Sequence, residues 1–198
     1  MPLRRSGDSL NRNDIKSQRR SLRLKDYGYN CAGSYFVTIC TYRRENLFGE
    51  IDDGTMHLNK YGEIVNECFQ AIAKHFETTA VDEFVVMPNH IHGIVVFLDV
   101  GARHAVPIRS SQRFGKPIAS SLATIVGSFK SATTRRINEL RQTPGLSVWQ
   151  RNYHEHVIRN EQSLHRIREY IAGNPACWDV DRENPAAATP EEKDAWLI

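Results

Sequence analysis

The chain lacks the features that mark several large classes of protein. None of its apolar runs approaches the ~20 residues that a membrane-spanning helix requires. Its basic N-terminus is not followed by the apolar stretch of a secretory signal. It has neither a Gly-rich phosphate loop nor an internal repeat. These absences favour a cytoplasmic protein without a membrane partner, and its 198 residues suit one domain with a tail at either end.

Cysteine is scarce, and its spacing excludes two kinds of site. The four cysteines are Cys31, Cys40, Cys68 and Cys177. No two of them are spaced as in a zinc knuckle or a redox pair, so we expect neither structural zinc nor a disulfide. Cys40 lies in an apolar run, which predicts a small buried side chain.

The net charge of +3 is small but unevenly distributed. Residues 1–25 carry eight Lys and Arg against two Asp, whereas residues 179–198 carry six acidic residues against two basic ones. A basic arm ahead of a fold is a common nucleic-acid footprint, because each phosphate it neutralises releases counterions. A solvated tail has the same composition. We predict a basic arm over residues 1–18, a domain over 19–178 and an acidic tail over 179–198.

The order of predicted elements indicates an α+β sandwich with helices packed on an antiparallel sheet. Short apolar or β-branched segments predict strands, and helical spacing of apolar residues predicts helices. The strands are expected at residues 34–41, in a hairpin over 48–59 that turns at Asp52-Asp53-Gly54, and at 81–87, 90–98 and 148–157. The helices are expected at 61–76, 120–140 and 161–173, the last ending by a glycine C-cap at Gly173. Residues 99–118 have no periodicity and predict a long loop.

The strongest local motif is the pair His90 and His92 at the start of an apolar strand. Side chains two residues apart in a strand project from the same face, so both imidazoles are able to bind one divalent cation while Ile91 turns into the core. Burying a polar side chain in such a strand costs free energy unless the side chain binds a partner. An isolated His-x-His pair more often has a structural explanation.

The third predicted helix offers partners for this pair. Tyr170 and Asn174 are four residues apart and therefore lie on one helical face. The Asn174 amide oxygen is able to complete a Mg²⁺ or Mn²⁺ site, and the Tyr170 phenol is able to reach a phosphate bound there. Each residue alone also fits a structural role, Tyr170 as a core aromatic and Asn174 as a helix terminator.

Three segments together carry a family resemblance: VVMPNHIHGIVV, FKSATTRRIN and VWQRNYHEHVIRNEQSLHRIREYIAGNP. They resemble the HUH superfamily of single-strand endonucleases, in particular the IS200-like single-tyrosine transposases and their REP-associated relatives. The opening RRSLRLKDYGYNCAGSYFVTICTYRRENLFG resembles the REP-associated group. The resemblance runs from about Arg19 to Pro175.

This resemblance implies a ferredoxin-like fold, a metal site and a chemistry. His90 and His92 match the metal-binding histidines, Tyr170 matches the nucleophile, and Asn174 stands where the wider family often has Gln. The implied activity is a transposase-type endonuclease that cleaves and rejoins single-stranded hairpin DNA through a 5′-phosphotyrosine and a free 3′-OH. The family contains both monomers and homodimers, and the sequence leaves that choice open.

Further basic residues are predicted to contact DNA. They are Arg19, Arg20 and Arg23 near the arm, Arg109, Arg113 and Lys116 in the long loop, Lys130, Arg135 and Arg136 on the second long helix, and His154 and His156. A charged outer face is also the ordinary state of an amphipathic helix.

Two other functions share parts of this pattern. Histidine-triad nucleotide hydrolases need a third alternating histidine, but Ile94 occupies that place. A domesticated DNA-hairpin-binding protein that has lost catalysis would keep the fold. The intact set of His90, His92 and Tyr170 argues against such a loss.

Overall fold

The computed structural model describes residues 33–98 and 121–187. Several sequence predictions lie outside these residues: the basic arm over 1–18, Arg19, Arg20 and Arg23, the loop residues Arg109, Arg113 and Lys116, and the tail beyond 187. Among the described residues, no helix is long and apolar enough to cross a membrane.

The described elements follow the predicted order. The strands are β1 Gly33–Cys40, β2 Gly49–Asp52, β3 Thr55–Leu58, β4 Thr79–Val86, β5 His90–Phe97 and β6 His154–Ile158. The helices are α1 Lys60–Gln70, α2 Ile72–His75, α3 Leu122–Leu140 and α4 Glu161–Gly173, with 3₁₀ helices at Tyr42–Arg44 and Asn174–Val180. The helix predicted over 61–76 is therefore divided at Ala71 (φ −72°, ψ −9°).

Four of the strands form one antiparallel sheet in the order β4-β5-β1-β6. The path β1, α1, β4, β5, α3, β6 is the βαββαβ arrangement of ferredoxin-like folds. The hairpin of β2 and β3 is inserted after β1 and turns through Asp53 (φ 45°) and Gly54 (φ 69°), as the turn motif predicts. The predicted α+β sandwich is thus confirmed.

The sheet separates two layers of side chains. On one face, Tyr35, Val37 and Ile39 of β1 join the main core with residues of α1 and α3. On the other face, Phe36 and Ile94 form a smaller cluster with Ile167 and Ile171 of α4. The alternation of side chains along β1 and β5 decides which residues belong to each layer.

Strand β6 is shorter than the predicted segment 148–157. Trp149 makes a single bridge to Thr41, and regular pairing begins only at His154. The interruption has a physical cause, because the carbonyl groups of Gln150 and Asn152 both accept hydrogen bonds from Lys130 Nζ at 3.0 Å. These carbonyls point to α3 rather than to a neighbouring strand.

Helix α4 ends at the predicted residue but not by the predicted C-cap. Gly173 has φ −83°, so it does not adopt the left-handed conformation of a glycine cap. Asn174 (φ −59°, ψ −40°) remains helical, and the chain continues into the 3₁₀ helix with Pro175 in its first turn. Tyr170 and Asn174 therefore stay on one continuous helical face.

Candidate metal and nucleophile site

His90 and His92 begin β5 on the face that α4 covers. Their side chains are 0% and 3% exposed, and their ring centroids are 4.4 Å apart. In the sheet they stand opposite Cys40 and Thr38 of β1. Ile91 points to the other face and is fully buried in the main core. As predicted, the two histidines share one face of the strand and Ile91 enters the core.

His90 is held by Asn89, the residue before it. The Asn89 amide donates to the carbonyl oxygens of Glu183 (2.7 Å) and Arg44 (3.2 Å), which fixes its side-chain oxygen as the atom facing His90 Nδ1 at 2.8 Å. Nδ1 therefore carries the proton, and Nε2 presents its lone pair. This Nε2 atom is buried and has no hydrogen-bond partner among the described residues.

His92 is held from two sides. Its Nδ1 lies 2.9 Å from Thr38 Oγ1, and its Nε2 lies 3.3 Å from the Tyr170 hydroxyl. Phe36 stacks on the His92 ring at 5.3 Å between centroids and meets Tyr170 edge-on at 6.1 Å. The sheet and α4 together place the imidazole against the phenol.

Asn174 lies on the same face of the chain as Tyr170 and is 2% exposed. Its Nδ2 donates to Asp181 Oδ2 at 3.1 Å. Its Oδ1 is buried without a hydrogen-bond partner in the described part of the chain. This is the atom that the sequence nominates as a metal ligand, and the structure leaves it available.

Asp181 joins the site, and sequence reasoning missed it. Its carboxylate lies 4.0 Å from His90 Nε2, and ligand atoms of Asp181, His90 and His92 all fall within 4.8 Å of one another. Asp181 Oδ1 also accepts the backbone N–H of Glu183 at 2.6 Å. The first part of the acidic segment predicted as a tail therefore packs onto the domain as far as Asn184, with Asp181 and Glu183 both buried.

A sequence signal for this packing was present in Trp178, an aromatic residue directly before the acidic segment. Its ring centroid is 6.1 Å from that of His90. A large aromatic side chain at this boundary indicates that the chain there has an apolar surface to cover. Among six acidic residues, however, nothing in the sequence distinguishes Asp181 as the one beside the histidines.

The two imidazoles are neutral in this environment. Burial lowers the pKa of His90 to about 4, although the carboxylates of Asp181 and Glu183 act to raise it. Burial, and then the neighbouring His90, lower the pKa of His92 well below its usual value. A neutral imidazole is the form that binds a cation, so the site is ready for metal at pH 7.

The predicted DNA contacts divide between the two faces. His154 lies opposite Thr38, which in turn lies opposite His92, so β6 adds His154 and His156 to the site's side of the sheet. Lys130, Arg135 and Arg136 are on α3, on the other side. Arg136 is paired with Glu67 at 2.6 Å, whereas Arg135 is exposed. Their role in DNA binding stays a prediction.

Comparison with known proteins gives a relative and a fold. No family model matches the chain. An uncharacterized protein of Haemophilus influenzae is 41% identical over 170 residues, which covers 83% of this chain and 92% of that protein. The two chains belong to one family.

The fold is shared with a solved structure of a REP-associated tyrosine transposase bound to a REP hairpin. The TM-score is 0.50 at 20% identity, over 77% of this chain and 73% of that one. A second solved structure, of a protein from Deinococcus radiodurans, aligns with 76% of this chain and 96% of its own chain. The identity is 17% and the TM-score is 0.41. At the level of the fold, the first of these confirms what the sequence resemblance implied.

Proposed function

We propose that this chain is a metal-dependent endonuclease that cuts and rejoins single-stranded DNA through a covalent bond to Tyr170. The observation that carries the proposal is the position of the Tyr170 hydroxyl, 3.3 Å from His92 Nε2. Beside it lie the buried donor atoms of His90, Asn174 and Asp181. A nucleophile and a set of cation ligands are thus within reach of one phosphate.

The donor atoms fit a hard divalent cation, Mg²⁺ or Mn²⁺. His90 and His92 would supply neutral nitrogens, Asp181 a carboxylate oxygen and Asn174 an amide oxygen. Two of these atoms, His90 Nε2 and Asn174 Oδ1, are buried without a partner among the described residues. Such atoms are costly to bury unless something binds them. A cation bound there would neutralise charge on the scissile phosphate.

The protein's own residues supply the nucleophile and its orientation. The Tyr170 oxygen attacks phosphorus, the new O–P bond forms, and the bond from phosphorus to the 3′-oxygen breaks. The proton lost by the phenol balances the one gained by the leaving 3′-oxygen. Thr38 and Asn89 hold the two imidazoles, and Phe36 packs against both His92 and Tyr170. The covalent bond conserves the energy needed to rejoin the strand.

The substrate proposed is single-stranded DNA with a hairpin. The resemblance to REP-associated transposases supports it, and the solved structure that shares this fold was bound to a REP hairpin. The half-buried pair His154 and His156 lies on the same side of the sheet as Tyr170, and we propose that it contacts a strand entering the site.

The test is a denaturing gel of the purified protein incubated with Mn²⁺ and a labelled hairpin oligonucleotide. We expect a protein–DNA band that disappears with EDTA and in Tyr170→Phe, but remains in Tyr153→Phe. Tyr153 is a matched control, since its ring packs beside Lys130 rather than at the histidines. Tight binding of DNA without an adduct in any metal would favour the non-catalytic hairpin-binding protein instead.

A further inference from the structure

A groove of about 840 Å³ lies between α3 and the segment 142–151, and its lining includes none of the residues of the histidine site. The residues that line it include Lys130, Arg135, Asn138, Gln142, Gln150 and Arg151. Its α3 wall stands on the face of the sheet opposite Tyr170, because α3 packs on the main core and α4 on the smaller cluster. Nothing in the proposed cleavage chemistry uses this groove.

The lining is cationic. Lys130, Arg135 and Arg151 are its basic residues, and Glu139 is the one acidic residue among those that line it. Arg135 and Arg151 are both exposed to solvent. Cationic side chains in a concave surface concentrate a field that attracts polyanions.

The uncharged residues of the lining favour phosphate over base recognition. Ser131, Thr134 and Ser147 contribute hydroxyl groups. The aromatic residue of the lining, Trp149, is 7% exposed, packs against Phe48, and gives its ring N–H to Thr133 at 2.8 Å. Its ring is therefore not available to stack on a base. Contacts of this kind hold a nucleic-acid backbone without reading its sequence.

Hydrogen bonds hold the residues of the groove in fixed positions. Lys130 Nζ donates to the carbonyl oxygens of Gln150 and Asn152, each at 3.0 Å, and an ammonium has a third N–H to offer. Arg141 Nε and Asn138 Oδ1 are joined at 2.9 Å, and Asn138 Nδ2 donates to the Leu146 carbonyl at 2.9 Å. The groove is therefore preformed rather than assembled by a ligand.

The groove and the histidine site are close across the sheet. The Gln150 N–H donates to the Cys40 carbonyl at 2.9 Å, and Cys40 is the register partner of His90. Two strand spacings of ~4.8 Å separate the backbone of Gln150 from that of His90, roughly 10 Å. A single polymer strand is able to occupy both places by passing around this edge of the sheet.

We propose that the groove binds the sugar–phosphate backbone of a single-stranded DNA segment that flanks the cleavage point. The inference rests on the proposed function and adds a second contact surface to it. Arg135 and Arg151 are the phosphate ligands on its two sides. The binding is independent of base sequence.

The test measures binding, not cleavage, in a Tyr170→Phe background with EDTA. The probe is a hairpin oligonucleotide with either no unpaired flank or a flank of oligo-dT. Arg135→Gln and Arg151→Gln are compared with Lys74→Gln, which removes the same charge from an exposed residue of α2 outside the groove lining. Thermal unfolding confirms that each variant is folded.

We expect each groove variant to weaken binding of the flanked probe about five- to tenfold at low salt. Each should also reduce the slope of log K against log salt by about 0.7, the value for one phosphate of a single strand. Lys74→Gln should change neither quantity, and the probe without a flank should bind all variants alike. An equal loss in Lys74→Gln, or no loss in the double variant Arg135→Gln/Arg151→Gln, would overturn the inference while leaving the proposed function intact. Failure of the parent protein to bind either probe, both in EDTA and with Mn²⁺ added, would overturn both.

Discussion

The two faces of the four-stranded sheet bury different kinds of side chain. On the face of α1 and α3, aromatic rings meet one another: Phe69 lies 5.0 Å from Phe84 and 5.4 Å from Phe129 between centroids. On the face of α4, the buried residues near the start of β5 are polar, and they include His92 and Asp181. One face is closed by packing. The other is held by hydrogen bonds, and within residues 33–98 and 121–187 it leaves the lone pairs of His90 Nε2 and Asn174 Oδ1 without hydrogen-bond partners.

The difference indicates how the fold divides stability from chemistry. Burial of apolar area on the first face supplies the main favourable free energy of folding. The second face keeps imidazole, amide and carboxylate groups out of water, which opposes folding unless each group finds a partner. A rigid first face is what allows the second to hold such groups in fixed positions.

The largest effect on stability is expected from Phe69→Ala. This ring is 1% exposed and lies directly over Gly93, where an added Cβ would approach Phe69 Cζ to 2.5 Å. Its loss should lower the free energy of unfolding by about 3–5 kcal/mol, measured by urea denaturation. Adduct formation at a temperature where the variant is folded should be close to normal. A loss below about 1 kcal/mol would show that the first face is not the main source of stability.

The second face is tested by Asp181→Asn. If Asp181 binds the cation, its loss should weaken Mn²⁺ affinity about 10- to 100-fold, which is ~1.4–2.7 kcal/mol. Isothermal titration calorimetry measures this directly. Glu183→Gln is the control, because Glu183 is a buried carboxylate two residues away that pairs with Arg44 at 2.8 Å. Equal losses in the two variants would mean that only the local negative charge matters.

A smaller effect is expected from Thr38→Val, which removes a hydrogen-bonding hydroxyl at nearly constant shape. His92 Nδ1 would lose its partner at 2.9 Å and remain buried. We expect a loss of about 1–2 kcal/mol in unfolding free energy and a drop in Mn²⁺ affinity of about tenfold. Unchanged metal affinity would show that α4, and not β1, orients the His92 ring.

The smallest effect concerns Lys130, a half-buried charge beside the apolar face. Burial lowers its pKa to about 8. In the unfolded chain a lysine keeps its proton up to about pH 10.4. Between these values the unfolded state binds more protons, so the free energy of unfolding should rise with pH.

This rise is expected to be below about 1 kcal/mol, because the ammonium is partly solvated. Urea denaturation gives the free energy of unfolding of the parent and of Lys130→Met at pH 7.5 and at pH 10. The contribution of Lys130 is the change between the two pH values in the parent minus the same change in the variant. Parallel changes in the two proteins would show that Lys130 does not contribute.

Sequence patterns predicted most of the fold because they depend on local periodicity. The alternation at His90, Ile91 and His92 predicted which side chain enters the core. The hairpin turn and the span of α4 were also correct. The short β6 was not predictable, since it depends on Lys130 binding two carbonyl groups across space.

Part of the candidate site was predicted because it, too, depends on local sequence patterns. The histidines and Tyr170 belong to motifs with fixed spacing, so the sequence nominated them, and the structure places them together. Asp181 follows a 3₁₀ helix that replaces the expected glycine cap. Its position depends on how residues after 174 fold back onto β5, which no local pattern encodes.

The most direct test of the account is to locate the residue that becomes attached to DNA. The protein would be incubated with Mn²⁺ and a hairpin oligonucleotide, the DNA trimmed by nuclease, and the tryptic peptides analysed by mass spectrometry. We predict a 5′-phosphonucleotide on Tyr170, within the peptide of residues 169–182. Attachment to any other residue, or a cut strand without attachment, would contradict the proposed role of Tyr170.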